Sequence, residues 1–191
     1  MSSGLFNLNG KRALITGSSQ GIGFALAKGL AAADVEIVLN GRNAEKLAGA
    51  AKALEADGTK THQLAFDATD HTAVREAVDG FESASGAIDI LVNNAGMQHR
   101  TTLQDFPPEA FEQLLQTNIA SVFHVGQAVA RHMIGRERGK IINIASVQSA
   151  FPSRHCTLYG NQRRRDQFDE RHGDRLGQTR ATMQCDCAGL F

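Results

Sequence analysis

The sequence predicts an α/β domain built on a doubly wound parallel sheet, and three observations carry that expectation. Strand and helix patterns alternate from Lys11 to Ala145, the order produced by βαβ units. The strand segments are apolar runs with little polar alternation, as expected of strands covered by helices on both faces. A glycine-rich turn joins the first run to the first helical pattern, where such sheets present backbone N–H groups to a phosphate. At 191 residues the chain is long enough for one domain with its own core.

The first run, Ala13-Leu14-Ile15, is a short buried strand. The turn Thr16-Gly17-Ser18-Ser19-Gln20-Gly21-Ile22-Gly23 follows, with a helix beginning near Gly21 and an Ala/Leu-rich pattern from Phe24 to Ala33. Val35 to Asn40 reads as the second strand, and a helical pattern from Asn43 to Ala56 stops at Asp57-Gly58. Thr61 to Phe66 is the third strand. The helix after it starts at Asp70, whose short carboxylate suits the free N–H groups of a first turn, and runs to about Ser83. Ile88 to Val92 is the fourth strand. Pro107-Pro108 open the next helix, and an apolar period through Phe111, Leu114, Leu115, Ile119, Val122 and Phe123 carries it to Met133. Lys140 to Ala145 is the fifth strand.

Composition excludes several classes. The net charge is zero, so no basic field advertises a nucleic-acid partner. The first nine residues have neither a charged leader region nor a long apolar stretch, and no window approaches a membrane span. The three cysteines, Cys156, Cys185 and Cys187, do not form a disulfide framework, which points to a reducing, cytoplasmic setting. No histidine pair has metal-ligand spacing with a carboxylate at hand, so no metal is expected; His62, His71 and His124 read as core or surface residues.

Open parallel sheets bind ligands beyond the carboxyl ends of their strands. The second strand ends in Asn40-Gly41-Arg42, with no acid to meet a ribose 2′-hydroxyl. Arg42 is placed to meet a 2′-phosphate, which favours NADP(H) over NAD(H); the alternative is an arginine on a solvent-facing loop. The third strand ends in Asp67-Ala68 and the fourth in Asn93-Asn94-Ala95-Gly96.

These motifs resemble those of the short-chain dehydrogenase/reductase family. The turn matches its T-G-x3-G-x-G cofactor loop, so the resemblance implies a Rossmann-type fold with Gly17, Ser18, Ser19, Gln20, Gly21, Ile22 and Gly23 around the cofactor. Asn94, Ala95 and Gly96 fall in a stretch similar to the family's N-N-A-G, and Asp67, with Ala68, lies where the family's acid binds adenine. Asn118 matches the helix asparagine of the proton relay, Ser146 the catalytic serine, and Tyr159, thirteen positions later, the catalytic tyrosine. Taken alone, Ser146 reads more readily as a strand-end serine bonding its own backbone, and its spacing to Tyr159 reverses that. Within the family, the peptides Met97-Gln98-His99-Arg100 and Ser146-Val147-Gln148-Ser149 resemble those of gluconate 5-dehydrogenases. The implied activity is NADP-dependent interconversion of a sugar-acid or polyol hydroxyl and its ketone, on a small molecule; the family implies a homo-oligomer, while a truncated chain is expected to lose both assembly and much of the turnover. Other substrates of the family, such as 3-oxoacyl thioesters, or a non-catalytic NADP-binding role, remain alternatives. His99 and Arg100 follow Gly96 at the pocket mouth, where with Gln148 they would recognise a substrate carboxylate or else form a solvated loop.

A tyrosine base at neutral pH needs a neighbouring cation, since the free phenol has a pKa near 10. The family carries a lysine four residues after its tyrosine; here Arg163 stands at that position. Arginine keeps the charge but replaces a compact ammonium with a planar fork. From Gly160 onward the composition changes: there is no Val, Ile, Pro or Lys, and no segment reads as the next buried strand. Neither Arg163-Arg164-Arg165 nor Gln184-Cys185-Asp186-Cys187 makes a nucleic-acid or metal site. Displaced by one nucleotide, suitable synonymous codons for 160–191 yield a peptide with a lysine soon after the tyrosine, an amphipathic helix and a Pro-Gly. That peptide resembles what the family carries next. The expectation is a frameshifted, truncated chain, with an incomplete cofactor domain over 1–159 and an Arg-rich tail over 160–191 outside the native fold.

Overall fold

The structure is a computed structural model that describes residues 8–146 and 181–188; of Leu103, Ser146 and 181–188 it describes the backbone alone. In chain order the elements are β1 (Arg12–Ile15), α1 (Gly21–Ala31), β2 (Glu36–Gly41), α2 (Ala44–Glu55), β3 (Thr61–Ala65), α3 (His71–Ser85) and β4 (Ile90–Asn93). A 3-10 turn (Leu103–Asp105), α4 (Pro108–Leu115), a π-helical turn (Gln116–Ala120), α5 (Ser121–Gly135), β5 (Gly139–Ser146) and β6 (Ala181–Ala188) complete them. The sheet runs β3-β2-β1-β4-β5-β6 with every pairing parallel. The strand order therefore reverses between β1 and β4.

Alternation along the buried strands divides the core in two. Leu14, Val38, Leu91 and Ile141 face α3 and α5, where Val74, Val78, Phe81, Val125, Val129 and Met133 pack on them. Ala13, Ile15, Ile37, Leu39, Ile90 and Val92 face the opposite layer with Ala27, Leu47 and Leu54 of α1 and α2. A sheet covered on both sides is what the near-continuous apolar runs require. The caps also follow the sequence: Asp70 accepts from Thr72 N and Ala73 N, and Asn43 from Lys46 N at 2.9 Å.

Two expectations are corrected. The helix opened by Pro107-Pro108 is not a continuous α-helix, because five of its residues wind as a π-turn. Its buried positions run Leu114, Asn118, Val122, Val125, Val129 and Met133, in steps of four across that turn. The widened turn keeps one stripe on the sheet and leaves Phe111 and Phe123 turned outward, at 37% and 39% exposure. The second correction concerns the expectation that no segment after Gly160 serves as a strand. Ala181–Ala188 forms β6, in register with β5 from Gly139↔Ala181 to Ser146↔Ala188. Its sequence alternates Ala, Met and Cys with Thr, Gln and Asp, a period-two pattern that a strand at a sheet margin satisfies without Val or Ile. The rest of 160–191 lies outside the described residues.

Candidate active site

The carboxyl ends of β1 to β4 open into a cleft of about 560 Å³. Its lining includes Gly17, Ser19, Gln20, Asn40, Arg42, Asp67, Ala68, Asn94, Ala95 and Gly96, ten of the positions read from the sequence. They arrive together because the switch in strand order sends the chain after β1 and the chain after β4 to opposite faces of the sheet, leaving a crevice at the strand ends.

The glycine turn is tight for identifiable reasons. Gly17 has φ +64°, and a Cβ there would lie 3.1 Å from the Ala95 Cα. At Gly23, a Cβ would lie 2.5 Å from Asn94 Nδ2 and closer still to the Gly17 carbonyl oxygen. Gln20 precedes α1 without a side-chain cap, and no acid occupies the first turn. That leaves the helix N-terminus open to an anion.

Hydrogen bonds fix the turn to its neighbours. Ser18 is fully buried; its Oγ donates to Ile15 O at 2.8 Å and accepts from Asn40 N at 3.0 Å. It is scaffold beneath the cleft and does not line it. The Asn40 amide donates to Leu64 O and Phe66 O at 3.0 and 3.2 Å, tying β2 to the end of β3. Thr16, named from the sequence only as the first residue of the turn, connects the two turns. Its Oγ1 accepts from Asn94 N and Ala95 N, both at 2.9 Å, while Asn94 Nδ2 donates to Thr16 O at 3.0 Å. Gly21 and Ile22 do not line the cleft, and Ile22 is 56% exposed.

The far end of the cleft carries opposite charges. Asp67 Oδ1 accepts from Thr69 N and Thr69 Oγ1 at 2.9 and 2.8 Å. Arg42 Nη1 stands 3.8 Å from Asp67 Oδ2. Partial burial pushes the Asp67 carboxyl upward, but the two Thr69 bonds and the Arg42 charge outweigh it and hold it below the usual carboxylate range. The opposite wall is Gln113, Gln116, Thr117 and Ser121, which sequence reasoning missed. Its signal was a polar stripe at helical spacing beside the apolar one.

Asn118 lies in the π-turn, 2% exposed. Its Oδ1 accepts from Met97 N at 2.8 Å and its Nδ2 donates to Met97 O at 2.9 Å, which fastens the segment after β4 to the helix. His99 and Arg100 do not line the cleft: His99 packs edge-on to Phe106 with centroids 5.1 Å apart, and Arg100 Nη2 donates to Gln98 Oε1 at 3.1 Å. Ser146 ends β5, two strands from the turn, while Gln148, Tyr159 and Arg163 lie outside the described residues. Of the histidines expected in core or surface positions, His62 is half-buried, bonding Glu36 and meeting the core residue Phe81 edge-on at 5.2 Å, while the exposed His71 meets the half-buried His124 edge-on at 5.4 Å.

A parallel sheet with a switch point, a glycine-rich turn and an uncapped helix after it defines a dinucleotide-binding α/β domain. The chain belongs to the short chain dehydrogenase family, whose model matches residues 11–161. It is 56% identical over 145 residues to a gluconate 5-dehydrogenase of Gluconobacter oxydans (strain 621H), covering 76% of this chain and 57% of that one. A 5-keto-D-gluconate 5-reductase of Escherichia coli (strain K12) is 43% identical over 155 residues, covering 81% of this chain and 61% of that one. The chain thus spans less than two thirds of the length of these curated relatives. The solved structure of a gluconate 5-dehydrogenase from Burkholderia cenocepacia J2315, in complex with NADP and tartrate, superposes with a TM-score of 0.90 at 42% identity, over 94% of this chain and 71% of that one. No helix among the described residues is long and apolar enough to cross a membrane.

Proposed function

We propose that the chain is an NADP(H)-dependent oxidoreductase that interconverts D-gluconate and 5-keto-D-gluconate, in the cytoplasm and without nucleic-acid or membrane partners. The observation that carries this reading is Arg42. It lines the cleft at the end of β2, 79% exposed, with no acid on that strand end to favour a 2′-hydroxyl. The chemistry of the two relatives and the NADP bound by the Burkholderia cenocepacia protein support it. The cleft fits the cofactor: Gly17 and Gly23 leave the turn open for a pyrophosphate, and the uncapped start of α1 points N–H groups at it.

Bound there, NADP(H) supplies or accepts the hydride. The chain's own residues orient the substrate and move the proton. Ser146, at the carboxyl end of β5, holds the substrate oxygen, and Tyr159 gives or takes its proton. Asn118 has one amide hydrogen and one lone pair beyond those given to Met97, enough to hold a relay water. Arg163 supplies the positive charge that favours a tyrosinate, but its planar fork positions less well than an ammonium, so turnover falls below that of the relatives. His99 and Arg100 lie outside the lining of the cofactor cleft, and with Gln148 they are assigned to the substrate side beyond it, where cation and amide donors suit a carboxylate.

The test is oxidation of NADPH with 5-keto-D-gluconate, followed at 340 nm beside a 3-oxoacyl thioester and a ketose as competing substrates. The proposal expects 5-keto-D-gluconate to be the preferred substrate, and Tyr159→Phe to abolish turnover while NADPH affinity is kept. Tight NADPH binding with no ketone reduced would make the chain a non-catalytic NADP-binding protein.

A further inference from the structure

We infer that Asp67 is a second determinant of cofactor choice, acting against Arg42 so that the cleft prefers NADP(H) only moderately. This rests on the reading of Arg42 as the 2′-phosphate partner. The two residues sit on adjacent strand ends of the same cleft, Arg42 just past β2 and Asp67 just past β3. Thr69 occupies one carboxylate oxygen with two donors, so the second oxygen faces Arg42 at 3.8 Å. The carboxyl is held below the usual range, so Asp67 is charged at neutral pH.

A 2′-phosphate brought to Arg42 must therefore enter beside a fixed negative charge, and it must share the guanidinium with that charge. A 2′-hydroxyl brings no charge and meets no such repulsion. The acid accordingly works in favour of NAD(H) and the arginine in favour of NADP(H). Both groups are solvent-facing, at 41% and 79% exposure, which keeps the opposition modest.

The experiment is titration of NADPH and NADH against the full chain, Asp67→Asn, Arg42→Ala and the double variant, at low and high salt. Asp67→Asn preserves the shape and the acceptor oxygen for Thr69, and it removes the charge. Any lost adenine contact is common to both cofactors, so it cancels in the affinity ratio. The ratio in favour of NADPH should rise about 3- to 10-fold in Asp67→Asn, less at high salt, and far less in the Arg42→Ala background. An unchanged or lowered ratio in Asp67→Asn, with the NADPH preference still lost in Arg42→Ala, overturns the inference while leaving the NADP reading intact. A ratio that Arg42→Ala does not change overturns the reading itself, and the inference with it. Should Asp67→Asn bind neither dinucleotide, Thr69→Ala decides the matter. Freeing the carboxylate to close on Arg42 should shift the ratio toward NADH, and no shift counts against the inference.

Discussion

Alanine substituted at two glycines of the same helix should have opposite effects. Gly29 is exposed near the end of α1, and a Cβ added there meets nothing within 4 Å. Gly29→Ala should stabilise the protein by about 0.5–1 kcal/mol, the difference in helix propensity alone. At Gly23, the added carbon would lie 2.5 Å from Asn94 Nδ2 and 3.0 Å from the Gly17 carbonyl carbon. The Gly17 contact is backbone, so it cannot rotate away, and the glycine turn must move. Forcing a methyl into a packed site costs about 1–3 kcal/mol. Displacing Asn94 also weakens its bonds to Thr16 O and Gly17 O, at 3.0 and 3.3 Å, each contributing about 1 kcal/mol. A combined loss of about 2–4 kcal/mol lowers Tm by roughly 5–15 °C in a domain of this size. Calorimetry on both variants, with NADPH fluorescence titration beside it, makes the comparison. Gly23→Ala should melt early and bind NADPH at least about tenfold more weakly, whereas Gly29→Ala should melt slightly late and bind as the parent does. Equal behaviour of the two variants would refute the reasoning, because it would mean that the turn adapts freely and is not held by Asn94.

Two further outcomes are expected. Glu36 is partly buried at the end of the sheet opposite the cleft, and burial raises its pKa, but bonds from Arg12, His62 and Lys60 outweigh this and lower it from 4.5 to about 2. A depressed folded-state pKa stabilises fully above 4.5 and is lost as pH falls toward 2, an effect of about 3 kcal/mol. Glu36→Gln should therefore destabilise at pH 7 and flatten the acid limb of the stability curve in urea titrations; an unaltered limb would assign acid sensitivity elsewhere. Ending the chain at Gly160 removes β6 and uncovers an edge of β5 eight residues long, Gly139 to Ser146. The shortened protein should melt lower and bind a hydrophobic dye, and an unchanged melt would show that β6 adds nothing to the sheet.

The sequence alone determined the layered fold, because unbroken apolar runs such as Ile37-Val38-Leu39 can be buried only between two helical layers. It also placed the glycine-rich turn, Asp67 and Arg42 in one cleft, since they sit at strand ends whose positions follow from the order of elements. Tertiary structure decided what depends on contacts between distant segments. Ser18 faces inward because Ile15 O and Asn40 N bind it there, and Thr16 is a clasp only because β4 lies beside β1. The π-turn at Asn118 also depends on such contacts, since the Met97 backbone holds the amide from 21 residues away, which helical periodicity does not register. The strand at Ala181–Ala188 was illegible for a related reason. Its residues have little intrinsic strand preference, and the ladder of β5 supplies the pairing that their composition does not announce.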